Sequence, residues 1–186
     1  MSKRLETGQS APLFSLTDIY DREIDLSAYK NKGKKILISF FRNVACPFCN
    51  FRIHQLTTKN DQWKNDLEMI FFLEAKKEVV LRSSFHKGVS PIPIIADFDR
   101  EIYRKYGTEV SAKKFNATIN SEAQMAIHSK LVEKGYEIDS GETQIHSIPA
   151  DFLLDENLNI LIAHYGKDIP DHLPFDRIQE AVFGKK

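Results

Sequence analysis

The feature that most constrains this chain is a short apolar run that leads into a pair of cysteines. Ile36-Leu37-Ile38-Ser39-Phe40-Phe41 is nearly unbroken and rich in β-branched and aromatic residues, so it reads as a strand buried on both faces. Cys46-Pro47-Phe48-Cys49 follows directly. Proline is tolerated in a first helical turn, where its missing N–H is no loss, so a helix should start at Pro47. Apolar spacing carries that helix to about 64, with Phe48, Phe51, Leu56 and Trp63 inward. A Cys-x-x-Cys at such a turn lets two sulfurs reach disulfide distance across one helical turn. The helix N-terminus also favours a thiolate on the first sulfur, and the thiolate is the attacking species in exchange. Cys46 is therefore expected to be the more acidic and more accessible thiol, with Cys49 one turn in and shielded by Phe48 and Phe51.

The rest of the chain supplies strands and helices in alternation. Residues 8–26 read as an irregular arm with a hairpin around Asp21-Arg22, which puts Ile24 and Leu26 on one side. Further strands are expected at 69–73 and 93–96, and a helix at 76–87 with Val79, Val80 and Phe85 as its stripe. Asp99 is expected to cap a helix through Ile102, Tyr103 and Tyr106 that stops at Gly107. Ser121-Glu122-Ala123-Gln124 matches a capping box, and Ala123, Ile127 and Leu131 recur on one face of an extra helix ending at Gly135. A hairpin at 151–163, turning at Glu156-Asn157, and an amphipathic helix with Pro174, Phe175, Ile178, Ala181 and Val182 close the chain. This order argues for a central sheet sandwiched by helices.

Composition narrows the function. The 186 residues suit one domain, 1–186, and 42% hydrophobic residues with 13 Phe can furnish a core. Lys plus Arg and Asp plus Glu number 26 each, which disfavours a basic nucleic-acid binder. Two Cys in this length exclude a disulfide-stapled miniprotein. No apolar run approaches the roughly 20 residues of a membrane span, and Met1-Ser2-Lys3-Arg4-Leu5-Glu6 lacks a signal-peptide stretch, so a cytoplasmic location is expected.

Between Leu26 and Asn60 there is no Asp or Glu, while Lys30, Lys32, Lys34, Lys35, Arg42, Arg52 and Lys59 fall there. The lysines read as a solvated turn; Arg42 and Arg52 lie close enough in sequence to matter to a thiolate. Two other readings of the cysteines stand beside a redox pair: half of a zinc site, or inert core thiols. Zinc would need two more ligands, but there is no second Cys pair and the six His are scattered, so no metal and no cofactor are expected. Pro149, just before the strand at 151–155, is either a cis-proline or a trans proline at a strand edge.

Together these residues resemble the thioredoxin superfamily, and more closely its peroxiredoxin-like branch of alkyl hydroperoxide reductase and thiol-specific antioxidant proteins. Gly8-Gln9-Ser10-Ala11-Pro12-Leu13-Phe14-Ser15-Leu16 is similar to that branch's opening. Phe40-Phe41-Arg42 with Cys46-Pro47-Phe48-Cys49 resembles the active-site turn, and Ile148-Pro149-Ala150-Asp151-Phe152-Leu153-Leu154-Asp155 the cis-proline and following strand. The resemblance implies an α/β thioredoxin-like fold with a central mixed sheet flanked by helices, an N-terminal extension, and a helical insertion before the cis-proline strand. It implies that Pro149 and Ile148 face the sulfurs and hold substrate, with Arg42 and Phe48 beside them. The chain departs from a peroxiredoxin in three places. With Cys49 at the peroxidatic position, the Thr position holds Cys46, the Pro position Arg42, and the later Arg position Pro149. The buried acid that thioredoxin carries before its motif is replaced by Ser39, Phe40 and Phe41. Cys-Pro-Phe-Cys is also locally similar to the glutaredoxin Cys-Pro-Tyr-Cys.

The reading is a thiol-disulfide oxidoreductase in which Cys46 attacks and Cys49 resolves. The alternatives are a thiol peroxidase using a sulfenic acid on Cys49 or Cys46, and a non-catalytic redox-sensing or binding module. Expected partners are a protein or small-molecule disulfide, or a hydroperoxide, and a thioredoxin- or glutathione-type reductant. The segment 108–146 offers a substrate groove, a homodimer surface or a solvated decoration.

Overall fold

The structure is a computed structural model describing residues 3–82, 88–89, 91–137 and 146–184. Strands β1 (Ser15–Thr17) and β2 (Glu23–Asp25) pair antiparallel as a small hairpin. The main sheet contains β3 (Lys35–Phe41), β4 (Leu67–Leu73), β5 (Ile94–Ala96), β6 (Ala150–Leu154) and β7 (Ile160–Tyr165), in the order β5-β4-β3-β6-β7. The β3–β4 and β4–β5 pairs are parallel, whereas β3–β6 and β6–β7 are antiparallel. Parallel neighbours need a crossover. Helix α1 (Pro47–Trp63) supplies the first and α2 (Lys77–Arg82) lies on the second. The expected mixed sheet flanked by helices is therefore the observed fold.

Strand β3 runs through the middle, and its two faces feed two cores. Ile36, Ile38 and Phe40 point to one side with Ile70, Phe72, Phe152 and Leu154, covered by Ala11, Phe14, Ile24 and Leu26 of the N-terminal arm and by Tyr103 and Tyr106. Leu37 and Phe41 point to the other with Phe71 and Leu153, covered by Ile53 and Leu56 of α1 and by Ile178. That double burial is why the run shows no polar alternation. Ile38, Ile70 and Leu153 are fully buried, as expected. Phe40 sits at the hub of the first core: its ring stacks on Phe72 at 4.8 Å and meets Tyr103, Tyr106 and Phe152.

Several local expectations change. Helix α3 (Glu101–Lys105) is capped by Asp97, whose carboxylate accepts from the N–H groups of Glu101, Ile102 and Tyr103. Asp99 makes no such cap, because Arg100 takes a left-handed conformation (φ 58°) that turns the first N–H groups back toward the end of β5. Gly107 does stop the helix. Its φ is +66°, and a Cβ there would lie 2.7 Å from the Lys3 carbonyl of the N-terminal arm. Of the helix expected at 76–87, residues 83–87, including Phe85, lie outside the described residues.

Two helices rather than one occupy the insertion: α4 (Ala112–Ile119) and α5 (Glu122–Glu133). Ser121 caps α5 by accepting from Gln124 N–H, but the reciprocal half of the box is unmade: Gln124 Oε1 has no hydrogen-bond partner among the described residues, and Ser121 N–H donates to Thr118 O. The expected apolar face is also turned. Ala123 and Ile127 are exposed, Ile127 by 48%, while Gln124, His128 and Leu131 face inward. The short helix rotates to place His128 on Phe48, the rings 5.9 Å apart, so contact with α1 decides its face. Helix α6 (Phe175–Phe183) closes the chain, with Ile178 buried. Among the described residues, no helix is long and apolar enough to cross a membrane.

Phe40→Ala should empty the centre of the first core. A loss of about 3–5 kcal/mol is expected, measured as a fall in urea midpoint with little change in slope.

Candidate active site

The C-terminal end of β3 delivers the chain into a buried loop at Arg42, and α1 starts five residues on. Cys46 is the N-cap of α1, with extended backbone (φ −86°, ψ 108°) and Pro47 at the first helical position. A helix N-terminus leaves N–H groups without acceptors. Here the acceptor is a sulfur: Cys49 N–H donates to Cys46 Sγ at 3.4 Å. Asn50, the next residue, is buried and donates through Nδ2 to Val44 O (2.6 Å) and Tyr136 O (2.7 Å), which ties the loop to the end of α5.

The two thiols differ sharply. Burial pushes Cys46 up, but the Cys49 thiol, the Arg42 charge and the Cys49 N–H outweigh it and bring Cys46 down to about 6. Burial, the Cys46 sulfur and its charge push Cys49 well above the ordinary thiol value, against the pull of Arg42. The two sulfurs are free, and the acidity order agrees with the expected one. The expected difference in access is small, since Cys46 is 3% exposed and Cys49 fully covered.

Arg42 is the basic group brought to the pair, with its guanidinium 4.8 Å over the Phe115 ring of α4. Arg52 is not. Its guanidinium lies 3.9 Å over the Phe175 ring and donates to Leu173 O, because one turn along α1 points it at α6 rather than at the sulfurs. Phe48 is buried against His128. Ile148 and Pro149 are buried; Ile148 N–H donates to Glu109 O at 2.9 Å, and Pro149 O accepts from Gly166 N–H at 2.9 Å. Phe40 pairs with Ala150, so Pro149 lies one residue beyond that pair, level with the end of β3 from which the cysteine loop departs.

Two buried acids flank this region. Neither stands on β3, in keeping with the expected absence of an acid there. Asp151 lies opposite Ser39 on the neighbouring strand. Burial raises it, yet His172 and Arg52 hold it well below the usual carboxylate range. His172 Nδ1 is 3.0 Å from Asp151 Oδ2, which also accepts from Leu173 N–H at 2.7 Å. Glu74, at the end of β4, is raised by burial against the pull of Ser147, Arg100 and Arg42. Its carboxylate accepts from Ser147 Oγ and pairs with Arg100 Nε at 3.0 Å, and its N–H donates to Arg42 O at 2.7 Å. Glu74 thus joins the cysteine loop to the segment entering Pro149. One sequence signal pointed to it: a carboxylate ends the apolar run Met69-Ile70-Phe71-Phe72-Leu73. Among the described residues, no three His, Cys, Asp or Glu side chains cluster as a metal ion would require.

The sheet order and its flanking helices define a thioredoxin-like fold. The chain belongs to the AhpC/TSA family, whose model matches residues 7–162. Membership makes it a thiol-dependent oxidoreductase or peroxidase. Similar solved structures include a thiol peroxidase from Chromobacterium violaceum (15% identity, TM-score 0.65, covering 97% of this chain and 88% of that one). A reduced 2-Cys peroxiredoxin from Plasmodium vivax is 16% identical (TM-score 0.63, 95% and 79% covered). A protein assigned as the thiol:disulfide interchange protein DsbE of Chlorobium tepidum is 18% identical (TM-score 0.59, 93% and 91% covered). At these identities the likeness is one of fold. No curated protein sequence matches the chain.

Iodoacetamide should modify Cys46 with a midpoint near pH 6 and leave Cys49 unreactive through the ordinary thiol range. Arg42→Gln should move the Cys46 midpoint upward by roughly one unit or more, since a neighbouring cation is removed. Asp151→Asn should cost about 3–5 kcal/mol at neutral pH, because it strands Arg52 and His172. With the folded carboxyl depressed, that stabilisation is full above the unfolded value of about 4. It is lost as pH falls below it, so in urea melts the gap between wild type and variant should narrow in acid.

Proposed function

We propose that the chain is a thiol-disulfide oxidoreductase in which Cys46 is the nucleophile and Cys49 the resolving thiol. One observation carries the reading: the Cys49 N–H, the Cys49 thiol and the Arg42 guanidinium all converge on Cys46 Sγ. The Cys46 thiolate attacks one sulfur of a substrate disulfide. That S–S bond breaks, and the departing thiolate takes a proton from solvent. Cys49 then loses its proton and attacks Cys46 Sγ in the mixed disulfide. The second substrate thiolate leaves, the Cys46–Cys49 bond forms, and two electrons have passed to the substrate. A thioredoxin- or glutathione-type thiol reverses the change. Ile148 and Pro149, with the cis bond the resemblance implies, and Arg42 and Phe48 line the approach in this reading. It takes 1–186 as one catalytic domain working in the cytoplasm.

A second reading, a thiol peroxidase, is favoured by the burial of Cys46, since a small hydroperoxide needs less room than a protein disulfide. Cys46 then attacks the peroxide oxygen, an alcohol or water leaves, and the sulfenic acid condenses with Cys49 to release water. The high proton affinity of Cys49 argues against that residue as the peroxide-reacting thiol.

Insulin-disulfide reduction and hydrogen peroxide consumption, assayed side by side on wild type, Cys46→Ser and Cys49→Ser, test both. Disulfide reduction by wild type, its loss in Cys46→Ser, and a trapped mixed disulfide on Cys46 in Cys49→Ser are expected. Peroxide consumption without disulfide reduction would replace the first reading by the second.

A further inference from the structure

We propose that the helical insertion is part of the redox site, with Phe115 of α4 acting as a positioning residue that pins the Arg42 guanidinium beside Cys46. The proposal rests on the reading that Cys46 is the reactive thiol. Its geometry is independent of that reading.

Arg42 approaches the cysteine pair from the end of β3, and its backbone is held there by Glu74 N–H. The side chain beyond is long, with many rotamers to lose when it is fixed in one place. A planar guanidinium laid on an aromatic face loses that freedom and keeps its charge. Phe115 offers such a face, 4.8 Å from Arg42 Cζ.

The ring that offers it is itself held. His146 packs against Phe115 with centroids 4.4 Å apart. Lys114, the preceding residue, bonds through Nζ to Glu109 Oε2 (2.7 Å) and Gly166 O (3.0 Å). Thr118, one turn on, accepts from Ile169 N–H through Oγ1 at 3.2 Å. The flanks of the insertion are clasped by Ser111 N–H to His146 O (2.8 Å) and Ile148 N–H to Glu109 O (2.9 Å). Helix α4 is thus fastened on both sides of Phe115 to the segment after β7 and to the segment that enters Pro149. A decoration on the surface would need none of these contacts.

The test is the pH dependence of Cys46 alkylation in the reduced full-length chain, with the modified cysteine identified by peptide mass spectrometry. Phe115→Leu keeps an apolar side chain but removes the aromatic face; its Cys46 midpoint should rise by about half a unit, roughly a threefold loss of thiolate below the midpoint. Phe115→Tyr keeps the face and should restore the wild-type profile. Ile119→Ala, exposed on the same helix, perturbs α4 away from Arg42 and should leave the profile unmoved. An unchanged profile in Phe115→Leu, or equal rises in the Leu and Tyr variants, would overturn the proposal. A wild-type Cys46 midpoint near the ordinary thiol value would instead overturn the reading of Cys46 on which it rests.

Discussion

Helix α1 begins on a sulfur, and the site is organised around that cap. A helix N-terminus needs acceptors, and Ser, Thr, Asp or Asn usually supply one. Here Cys46 Sγ takes the Cys49 N–H instead. The cap therefore favours the charge state in which the sulfur is the better acceptor, and the same state is the nucleophile. Burial opposes it, since a covered thiolate loses water. The Cys49 thiol and Arg42 tip the balance, and Cys46 comes out more acidic than a free thiol. In the proposed reaction Cys46 enters a covalent S–S bond and is no longer a thiolate, so the start of α1 would be coupled to the state of the two sulfurs by one contact.

Two buried carboxylates near this cap show how environment divides similar groups. Asp151 is surrounded by Arg52, His172 and a backbone N–H, which hold it ionised, so it serves as a fixed anion that fastens α6 to the sheet. Glu74 is left with a raised proton affinity and joins Arg42, Arg100 and Ser147. The first stabilises the fold behind the site; the second sets how the cysteine loop and the Pro149 segment stand to each other. Both lie outside β3, where a thioredoxin keeps its acid.

Much of this was legible in the chain. An apolar run without alternation is what a strand between two cores requires, and β3 has cores on both faces. Pro47 marked the start of α1, and the Cys-x-x-Cys spacing marked the pair. The places where reading the sequence failed are those where local pattern competes with contact. Asp99 fits a cap by spacing, but the left-handed turn at Arg100 hands the role to Asp97. Ala123, Ile127 and Leu131 make a stripe, yet α5 turns His128 and Leu131 inward, because it packs on Phe48 and α1 rather than on the sheet.

The sequence by itself determined the class of fold, the pairing of two thiols at one turn and which sulfur heads the helix, because hydrophobic period, proline and cysteine spacing act over a few neighbouring residues. Tertiary structure alone decided which charges reach that sulfur. Arg42 and Arg52 stand on either side of the motif in sequence, but the first follows β3 to the thiols while the second is turned toward Leu173 and Phe175. Phe115 and Glu74 come to Arg42 from 73 and 32 residues away along the chain. Electrostatic effects depend on distance in space, and that distance exists only once the sheet and its insertion have closed on each other.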